Sequence, residues 1–429
     1  MRIARRNLLK SGLAVAAAVA APGAQTFARA QVANVTAPRP TRRLIVLLNA
    51  GGWDPTFTLD PKPGSMRIDV PPGQRKRFGD LPIWSSEERP AVDTFFSRFG
   101  QRVALVNGLQ VRSFVHPDCM KRVLTGSASE ATPDLCAITA YETAADLPVP
   151  YLALGGQARS GHLAAITGRT GTINQLSVLV DPLAAYPDPK RGGGVTYDPR
   201  VSPTASESEH VRAYLAAAAT RLARARGRQR ANRRQLEAFV DSLQRSDALR
   251  RFARQNGLGG RDYTLSLEAQ IPLAVRALSG GLSRSVLLQT DDWDTHQDNA
   301  QQGPKHQALF SGLLSLMEAL ERAGRLDDTV VVVLSEMGRT PRLNVELGKD
   351  HWPVTSAMLW GPGVLGNRVY GGTDDQLNAR SVDFASGEPD DVAGKQLQAG
   401  NFVSGVLTAV GVDPHPYLPD VEPFVPFLA

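Results

Sequence analysis

The segment that decides the fold is residues 329–353, TVVVVLSEMGRTPRLNVELGKDHWP. Residues 330–334 form an unbroken β-branched and aliphatic run, which is typical of a strand buried on both faces of a parallel sheet. A half-exposed strand would alternate apolar and polar residues instead. The run therefore predicts a strand in the middle of an α/β sheet, where ligands bind just beyond the carboxyl ends of the strands.

Polar and ionisable residues follow this predicted strand closely. They are Ser335, Glu336, Arg339 and Thr340, and then Lys349, Asp350, His351 and Trp352. A base, an acid, an imidazole and an indole in four successive residues are unusual for a loop that only connects two elements. The segment predicts a functional site at the sheet edge.

Three further apolar runs predict strands of the same sheet: Arg43–Asn49, residues 102–107 and Ser285–Thr290. An amphipathic run at residues 307–323 predicts the helix that leads back to residues 330–334. Strand and helix signals in this order predict an α/β fold with a mostly parallel central sheet flanked by helices.

The ends of these predicted strands carry candidate ligands. Asp54 follows the first strand through Gly51-Gly52, and Asp60 is the alternative candidate. Either aspartate could instead cap a turn. Asp294 and His296 follow a third strand and lie two residues apart, so on an extended backbone they point to one side. A carboxylate with an imidazole suits zinc and similar divalent ions.

His116 precedes Pro117 and Asp118, which together predict the start of a helix that ends at Gly126. The amino terminus of a helix favours anions because its backbone N–H groups are free. A histidine at this position could also cap or pack the helix. His162 and His210 are interpreted as structural or surface residues.

The chain has 429 residues, 42% of them hydrophobic, which is enough for one large α/β domain or two smaller ones. Residues 61–90 are rich in proline, glycine and charge and are predicted to form a surface loop. Glycine-rich residues 181–204 predict a connector, and arginine-rich residues at about 205–256 predict an inserted helical segment. Because that insertion lacks interleaved aromatic residues, no nucleic-acid partner is expected.

Residues 1–30 have the features of a twin-arginine signal peptide. Arg5 and Arg6 precede a weakly apolar stretch at residues 12–21, and Ala28-Arg29-Ala30 predicts cleavage after Ala30. About ten apolar residues are too few for the roughly 20 that a membrane span needs. We therefore expect export by the Tat translocase to the periplasm or outside the cell, with residues 31–429 as the mature domain.

Removal of residues 1–30 takes five basic groups and no acid from the chain, so the formal net charge of +6 falls to about +1. The high isoelectric point is therefore no sign of nucleic-acid binding. Cys119 and Cys136 are the only cysteines. An oxidising compartment permits a disulfide between them, but their spacing leaves the pairing open.

Several of these motifs together resemble the family called domain of unknown function 1501, which is grouped with the alkaline phosphatase and sulfatase superfamily. The motifs are His116 with Leu124-Thr125-Gly126, Trp293-Asp294-Thr295-His296, Ser335-Glu336-Met337-Gly338-Arg339-Thr340-Pro341, Asp350-His351-Trp352 and Val369-Tyr370-Gly371-Gly372-Thr373-Asp374. The resemblance covers nearly all of the mature chain. It implies an alkaline-phosphatase-like fold and a divalent metal, with zinc favoured and magnesium, manganese or calcium as alternatives.

The resemblance also implies roles for individual residues. His116 stands where the superfamily has its nucleophile, and Asp294, His296 and His351 match a complete metal-ligand set. Asp54 and Glu336 match ligands of a second metal, but Met337 replaces a histidine of that position. Methionine is a poor ligand for a hard ion.

Three residues around this set have supporting or substrate-binding roles by the same comparison. Arg339 is a candidate for binding an anionic ester in bidentate fashion, or a structural ion-pair partner. Lys349 and Asp350 are candidates for positioning the ligands, with Asp350 near His351.

Two functions fit this sequence. The first is an exported metal-dependent hydrolase of phosphate or sulfate esters, with catalysis through His116 or through water. The second is a non-catalytic exported binding or assembly protein on a phosphatase-like scaffold, favoured by the absence of a hydroxyl nucleophile, by Met337 and by the arginine-rich helical insertion. No transmembrane segment is expected in the mature chain.

Overall fold

The described part of the chain is organised around an eight-stranded sheet in which seven strands run parallel. The computed structural model describes residues 42–169, 205–226, 245, 247–252, 255 and 266–429. Residues 41–429 form one compact unit. The mixed α/β class with a mostly parallel sheet, predicted from the strand and helix signals, is confirmed.

The strands are β1 (Arg43–Asn49), β2 (Gln74–Phe78), β3 (Leu81–Ser85), β4 (Ala104–Gln110), β5 (Tyr151–Ala153), β6 (Thr167–Arg169), β7 (Ser285–Thr290), β8 (Thr329–Ser335), β9 (Gly338–Arg339), β10 (His351–Trp352), β11 (Val354–Trp360), β12 (Arg368–Gly371), β13 (Ser381–Val382) and β14 (Lys395–Gln396). The helices are α1 (Pro90–Phe99), α2 (His116–Thr125), α3 (Leu135–Ala144), α4 (Ala205–Arg226), α5 (Leu267–Ser279), α6 (Gln302–Arg322) and α7 (Ala399–Ala409).

The strand order of the large sheet is β12-β4-β11-β8-β1-β7-β5-β6, and β11 is its antiparallel member. Every residue of β8 is buried, as a strand covered on both faces requires. In the parallel register, Asn49 at the end of β1 pairs with both Thr290 of β7 and Ser335 of β8. Three central strands therefore end at the same level.

Helices cover both faces of the sheet. Alternate residues of β1 and β8, such as Leu44 and Val332, pack with α2, α3 and α7 on one face. The intervening residues, such as Ile45 and Val331, pack with α1, α5 and α6 on the other. Because both faces are apolar, the polar ends of the strands are the part of the sheet that is available for chemistry.

Two predictions for the amino-terminal half need correction. Strand β4 begins at Ala104 rather than residue 102, because Gly100–Arg102 forms a 3-10 turn. The surface loop predicted for residues 61–90 is wrong in part, since β2 and β3 form an antiparallel hairpin there. Leu81 and Ile83 of β3 are buried, and Gly79 takes the positive φ of 64° that a tight turn requires.

The predicted insertion at 205–256 is described as the helix α4, and most of its remaining residues lie outside the described ranges. The connector predicted at residues 181–204 and the signal peptide at residues 1–30 also lie outside them. Within those ranges, no helix is long and apolar enough to span a bilayer. Cys119 and Cys136 are separate buried thiols rather than a disulfide.

Candidate metal centre

The candidate site forms where neighbouring strands of the sheet end. The segment after β1 contains Gly51, the segment after β7 contains Asp294, and Glu336 directly follows β8. These three strands are adjacent and end in register, so the topology alone brings the three segments together. The backbone N–H of Gly51 donates a hydrogen bond of 2.8 Å to Glu336 Oε1, which ties the first segment to the third.

Two further elements add histidines to this edge. Strands β9 and β10 form a small antiparallel ribbon in which His351 pairs with Arg339. His351 therefore lies beside the segment that follows β8 and Glu336. His116 is the first residue of α2, whose Pro117 and terminal Gly126 with φ 73° agree with the predicted helix signals. Residues far apart in sequence thus meet at the carboxyl ends of the central strands.

Three ligand atoms form a compact triangle, which we call the ligand triangle: His296 Nε2, His351 Nε2 and Asp294 Oδ1. The two imidazole nitrogens are 2.9 Å apart. Asp294 Oδ1 lies 3.2 Å from His296 Nε2 and 3.3 Å from His351 Nε2. All three side chains are partly exposed, so a solute can reach them.

The hydrogen bonds behind the triangle fix how its two rings are oriented. His351 Nδ1 donates to the backbone carbonyl of Phe114 at 2.7 Å, and His296 Nδ1 donates to Asp350 Oδ1 at 2.9 Å. A neutral imidazole with its proton on Nδ1 presents a lone pair on Nε2. Two lone pairs at 2.9 Å repel unless a proton or a metal cation lies between them. Metal-binding histidines commonly donate their other ring N–H to a carboxylate or a backbone carbonyl, as both rings do here.

The residues present fit a divalent cation. Tetrahedral zinc has ligand bonds of about 2.0–2.2 Å, which separate its ligand atoms by about 3.3 Å. The three edges of the ligand triangle, 2.9, 3.2 and 3.3 Å, are close to that separation. Two imidazoles and one carboxylate are also a ligand set that zinc prefers. His116, Asp294 and His351 offer a second grouping, with ligand atoms all within 4.8 Å of one another.

His116 lies against the triangle but is held by a different carboxylate. Its Nδ1 donates to Glu336 Oε1 at 2.7 Å, and its Nε2 lies 3.3 Å from Asp294 Oδ2 without a hydrogen-bond geometry. The hydrogen bond to Glu336 raises the pKa of His116, with a further contribution from the negative charge of Asp294. His116 therefore holds a proton more readily than a free imidazole does.

Glu336 was predicted to be a ligand, and the structure places it as the buried partner of His116. Its Oε1 accepts hydrogen bonds from Gly51 N and His116 Nδ1, and its Oε2 accepts one from Ser335 Oγ at 3.1 Å. The side chain is fully buried. Glu336 thus acts on the site through His116 and does not contact the ligand triangle among the described residues.

Arg339, the candidate for binding an anionic ester, is fully buried and occupied by the protein itself. Its guanidinium donates to the carbonyls of Gly52 at 2.8 Å, Lys349 at 2.9 Å and Trp293 at 3.2 Å, and also to the carbonyl of Gly51. It donates to Asp294 Oδ1 at 2.6 Å as well. The structure therefore favours the other interpretation, a structural ion-pair partner that joins the loops of the site.

The contact with Arg339 also sets the charge of the triangle. Burial alone would raise the pKa of Asp294, but the hydrogen bond and positive charge of Arg339 lower it to about 2. Asp294 is therefore an anion throughout the physiological pH range. A permanently ionised carboxylate is what a metal ligand requires.

Asp54 and Lys349 lie beneath this region as a buried ion pair. Lys349 Nζ is 2.8 Å from Asp54 Oδ2, and both side chains are fully buried. Asp54 Oδ1 accepts hydrogen bonds from the backbone and side chain of Thr56, so it caps the 3-10 turn that follows. The structure shows no contact from Asp54 to the ligand triangle, and its role as a metal ligand stays a prediction.

The remaining predicted residues are placed as follows. Asp350 holds His296 rather than the neighbourhood of His351. Asp60 accepts from Thr373 Oγ1 at 2.5 Å and pairs with Lys62 at 3.1 Å. Met337, which replaces a histidine in the motif comparison, is buried in the hydrophobic core.

The polar residues that support the loops were not predicted from the sequence. Gln302 is fully buried at the start of α6, where its amide nitrogen donates to Trp293 O at 2.9 Å and Thr295 Oγ1 at 3.1 Å. Its Oε1 accepts from Asp54 N at 3.0 Å, so one side chain joins two loops. Asn299 donates to Asp54 Oδ2 at 2.9 Å. The sequence carries no signal for these contacts, because a glutamine or asparagine at a helix start is normally exposed.

Comparison with known proteins identifies a family. The model described as "Protein of unknown function (DUF1501)" matches residues 41–418, which confirms the resemblance seen in the motifs. No curated protein sequence matches this chain.

Solved structures similar to this chain share little sequence with it. A protein in the alkaline phosphatase superfamily from Vibrio parahaemolyticus is 11% identical, with a TM-score of 0.39 and coverage of 87% of this chain and 67% of that chain. The lipoteichoic acid synthase LtaP from Listeria monocytogenes is 9% identical, with a TM-score of 0.40 and coverage of 90% and 74%. The PsFucS1 sulfatase from Pseudoalteromonas sp. is 10% identical, with a TM-score of 0.37 and coverage of 87% and 68%. These likenesses are too distant to carry an argument about chemistry.

Proposed function

The chain belongs to the family of unknown function DUF1501, and from the geometry of its site we propose that it is an exported, metal-dependent hydrolase of phosphate or sulfate esters. The observation that carries the proposal is the ligand triangle, in which two imidazole nitrogens and a carboxylate oxygen lie 2.9–3.3 Å apart. Such a convergence of partly exposed ligand atoms is costly unless a cation occupies it.

Asp294, His296 and His351 would hold the cation, with zinc favoured by the donor set. When bound, a divalent ion supplies Lewis-acid polarisation of an anionic ester and offsets the charge that develops during hydrolysis. The protein contributes rigidity, because Phe114 O and Asp350 fix the two rings and Arg339 fixes the carboxylate. These partners determine which nitrogen of each ring faces the cation.

His116 is best suited to donate a proton. Its Nδ1–H is held by the buried carboxylate of Glu336, which leaves Nε2 buried at 3.3 Å from Asp294 Oδ2 and without a hydrogen-bond partner. The raised pKa of His116 favours the protonated ring more than in a free imidazole. A protonated imidazole is a poor nucleophile but an effective general acid for the leaving oxygen of an ester. Water is then the nucleophile, and no phosphorylated or sulfated histidine is required.

The placement of Arg339 supports the second candidate, a non-catalytic binding or assembly protein. An arginine whose guanidinium bonds to four carbonyls and one carboxylate of its own chain does not grip an anionic ester. On this alternative the triangle binds a cation for structure or recognition. Measuring ester turnover distinguishes the hydrolase from the binding or assembly protein.

Export is the part of the proposal that rests on sequence alone. The twin-arginine pattern at Arg5-Arg6 and the cleavage motif Ala28-Arg29-Ala30 support it. A protein that folds before export would acquire its cation in the cytoplasm or after transfer to the periplasm.

The test compares wild type with His351→Ala and Asp294→Ala. Bound metal is measured by elemental analysis and turnover with p-nitrophenyl phosphate and p-nitrophenyl sulfate. We expect both variants to lose metal and turnover while retaining their circular dichroism spectra, because each removes one corner of the triangle. The exposed His415 provides the matched control, and His415→Ala is expected to behave as wild type.

Retention of full metal content and turnover by both triangle variants would reject the hydrolase. A wild type that holds metal but hydrolyses no ester in a broad panel would favour the binding protein.

A further inference from the structure

We propose that the site takes one divalent cation per chain, and that the buried ammonium of Lys349 occupies the place of a second ion. The inference rests on the proposed function, since it concerns the same site. Asp54 and Glu336 are the two residues that motif comparison assigns to a second ion. Each is already held by several groups of the chain itself.

The carboxylate of Asp54 accepts three hydrogen bonds and lies against a buried ammonium. Oδ1 accepts from Thr56 N at 3.0 Å and Thr56 Oγ1 at 2.7 Å, while Oδ2 accepts from Asn299 Nδ2 at 2.9 Å. Lys349 Nζ lies 2.8 Å from Oδ2 as an ion-pair partner, without hydrogen-bond geometry. An ionised carboxylate has about four acceptor positions. The ammonium of Lys349 is thus a covalently attached cation that neutralises the carboxylate where no water reaches it.

Glu336 is also held by groups of the chain, mainly through Oε1. Gly51 N, His116 Nδ1 and Ser335 Oγ lie 2.8, 2.7 and 3.1 Å from its oxygens. Binding a metal there would require the loss of the hydrogen bond that orients His116. Because Met337 points into the hydrophobic core, it supplies no ligand to replace these contacts.

The formal charges of the site also indicate one divalent ion. Its contact network holds four carboxylates and two permanent cations, which are Asp54, Asp294, Glu336 and Asp350 with Lys349 and Arg339. The deficit is two positive charges if His116 is neutral and one if it is protonated, so one divalent ion is enough to meet it in either state. A second divalent ion would leave the site, most of it buried, with an uncompensated charge of the opposite sign, which is strongly unfavourable.

The experiment counts bound zinc on the full chain after removal of metals with a chelator. Zinc alone is titrated by calorimetry, and the bound ion is counted by elemental analysis after gel filtration. We expect about one equivalent in wild type and none in His351→Ala. The variant D54N/K349M removes both buried charges with little change in shape, and we expect it to retain about one equivalent.

Lys349→Ala tests the role of the ammonium directly. It leaves the Asp54 carboxylate unneutralised beside an open space, and we expect about two equivalents of zinc. One equivalent in folded Lys349→Ala overturns the role assigned to Lys349. If Lys349→Ala does not fold, the zinc equivalents bound by wild type and by D54N/K349M test the single-ion inference.

The remaining outcomes separate this inference from the proposed function. Two equivalents in wild type with one in D54N/K349M overturn the single-ion inference and leave the hydrolase standing. Loss of all zinc from D54N/K349M also overturns the inference, because the pair would then belong to the binding site. No zinc in wild type overturns both.

Discussion

His306 makes the strongest prediction about stability because it is a fully buried titratable group next to the site. It lies on α6 with its ring stacked on Phe57 at 5.6 Å and on Trp53 at 6.2 Å between ring centroids. Its Nδ1 contacts Thr58 Oγ1 at 3.2 Å. Burial, assisted by the positive charge of Arg89, lowers the pKa of His306 to about 3 from 6.5.

The sign of the effect follows from this lowered pKa. The unfolded chain binds a proton at His306 near pH 6.5 and the folded chain does not, so the free energy of unfolding falls as the pH falls. Between about pH 7.5 and about pH 5, proton binding to the unfolded state lowers it by about 2 kcal/mol, at about 1.4 kcal/mol per pH unit. The full shift is worth about 5 kcal/mol and is reached only near pH 3.

The matched variant is His306→Phe, which keeps an aromatic ring against Trp53 and Phe57 but cannot titrate. Urea unfolding at about pH 7.5 and about pH 5 is followed by tryptophan fluorescence and circular dichroism, with chelator present so that metal release does not contribute. We expect wild type to lose about 2 kcal/mol more than the variant between the two pH values. Any constant effect of the larger ring cancels in that difference.

An equal loss in both proteins would refute the reasoning, since it would mean that His306 is not buried in its neutral form. The expected result has a functional consequence. The ring of His306 packs on Trp53, which precedes Asp54 in the segment after β1. Acid unfolding around His306 would therefore also disorder the loops next to the ligand triangle.

Three further predictions concern other groups. Lys349→Met leaves the carboxylate that it neutralises buried and unpaired, so urea unfolding should show a loss of about 3–5 kcal/mol, and a loss under 1 kcal/mol would contradict the buried pair. Glu336→Gln removes the main cause of the raised pKa of His116, so NMR titration of the metal-free variant should show a lower pKa, and an unchanged value would contradict the assignment. Wild type should also lose its stability advantage over Glu336→Gln as the pH rises through the pKa of His116. Replacing Arg5 and Arg6 together by lysine should abolish the cleaved, exported form in cell fractionation, and normal processing would argue against twin-arginine export.

The central strands were predictable because their sequences carry one dominant signal. Parallel strands covered on both faces read as continuous apolar runs, and the predicted bounds of β1 and β7 agree with the structure. The hairpin of β2 and β3 was not predicted, since its few buried residues are surrounded by proline, glycine and charge. The alternation of Leu81 and Ile83 next to Gly79-Asp80 was the available signal.

The convergence of the site followed from topology as well. Asp294, His296 and His351 were selected because they follow strands, and strands that end in register place such residues at one edge. That argument uses the position of the backbone only. It does not tell which side chains point outward to a ligand and which point inward to the protein.

The direction of the side chains depends on partners that are distant in sequence. Asp54, Glu336 and Arg339 are at the expected edge, yet their contacts are with Lys349, Gly51 and the loop carbonyls, up to 288 residues away along the chain. An ionised group that is buried must find such a partner, because an unpaired buried charge costs several kcal/mol. The exposed acids and histidines are then the remaining candidates for binding a cation. In this fold, separating ligands from supporting residues therefore requires knowing which charges are already neutralised, and only the packed structure contains that information.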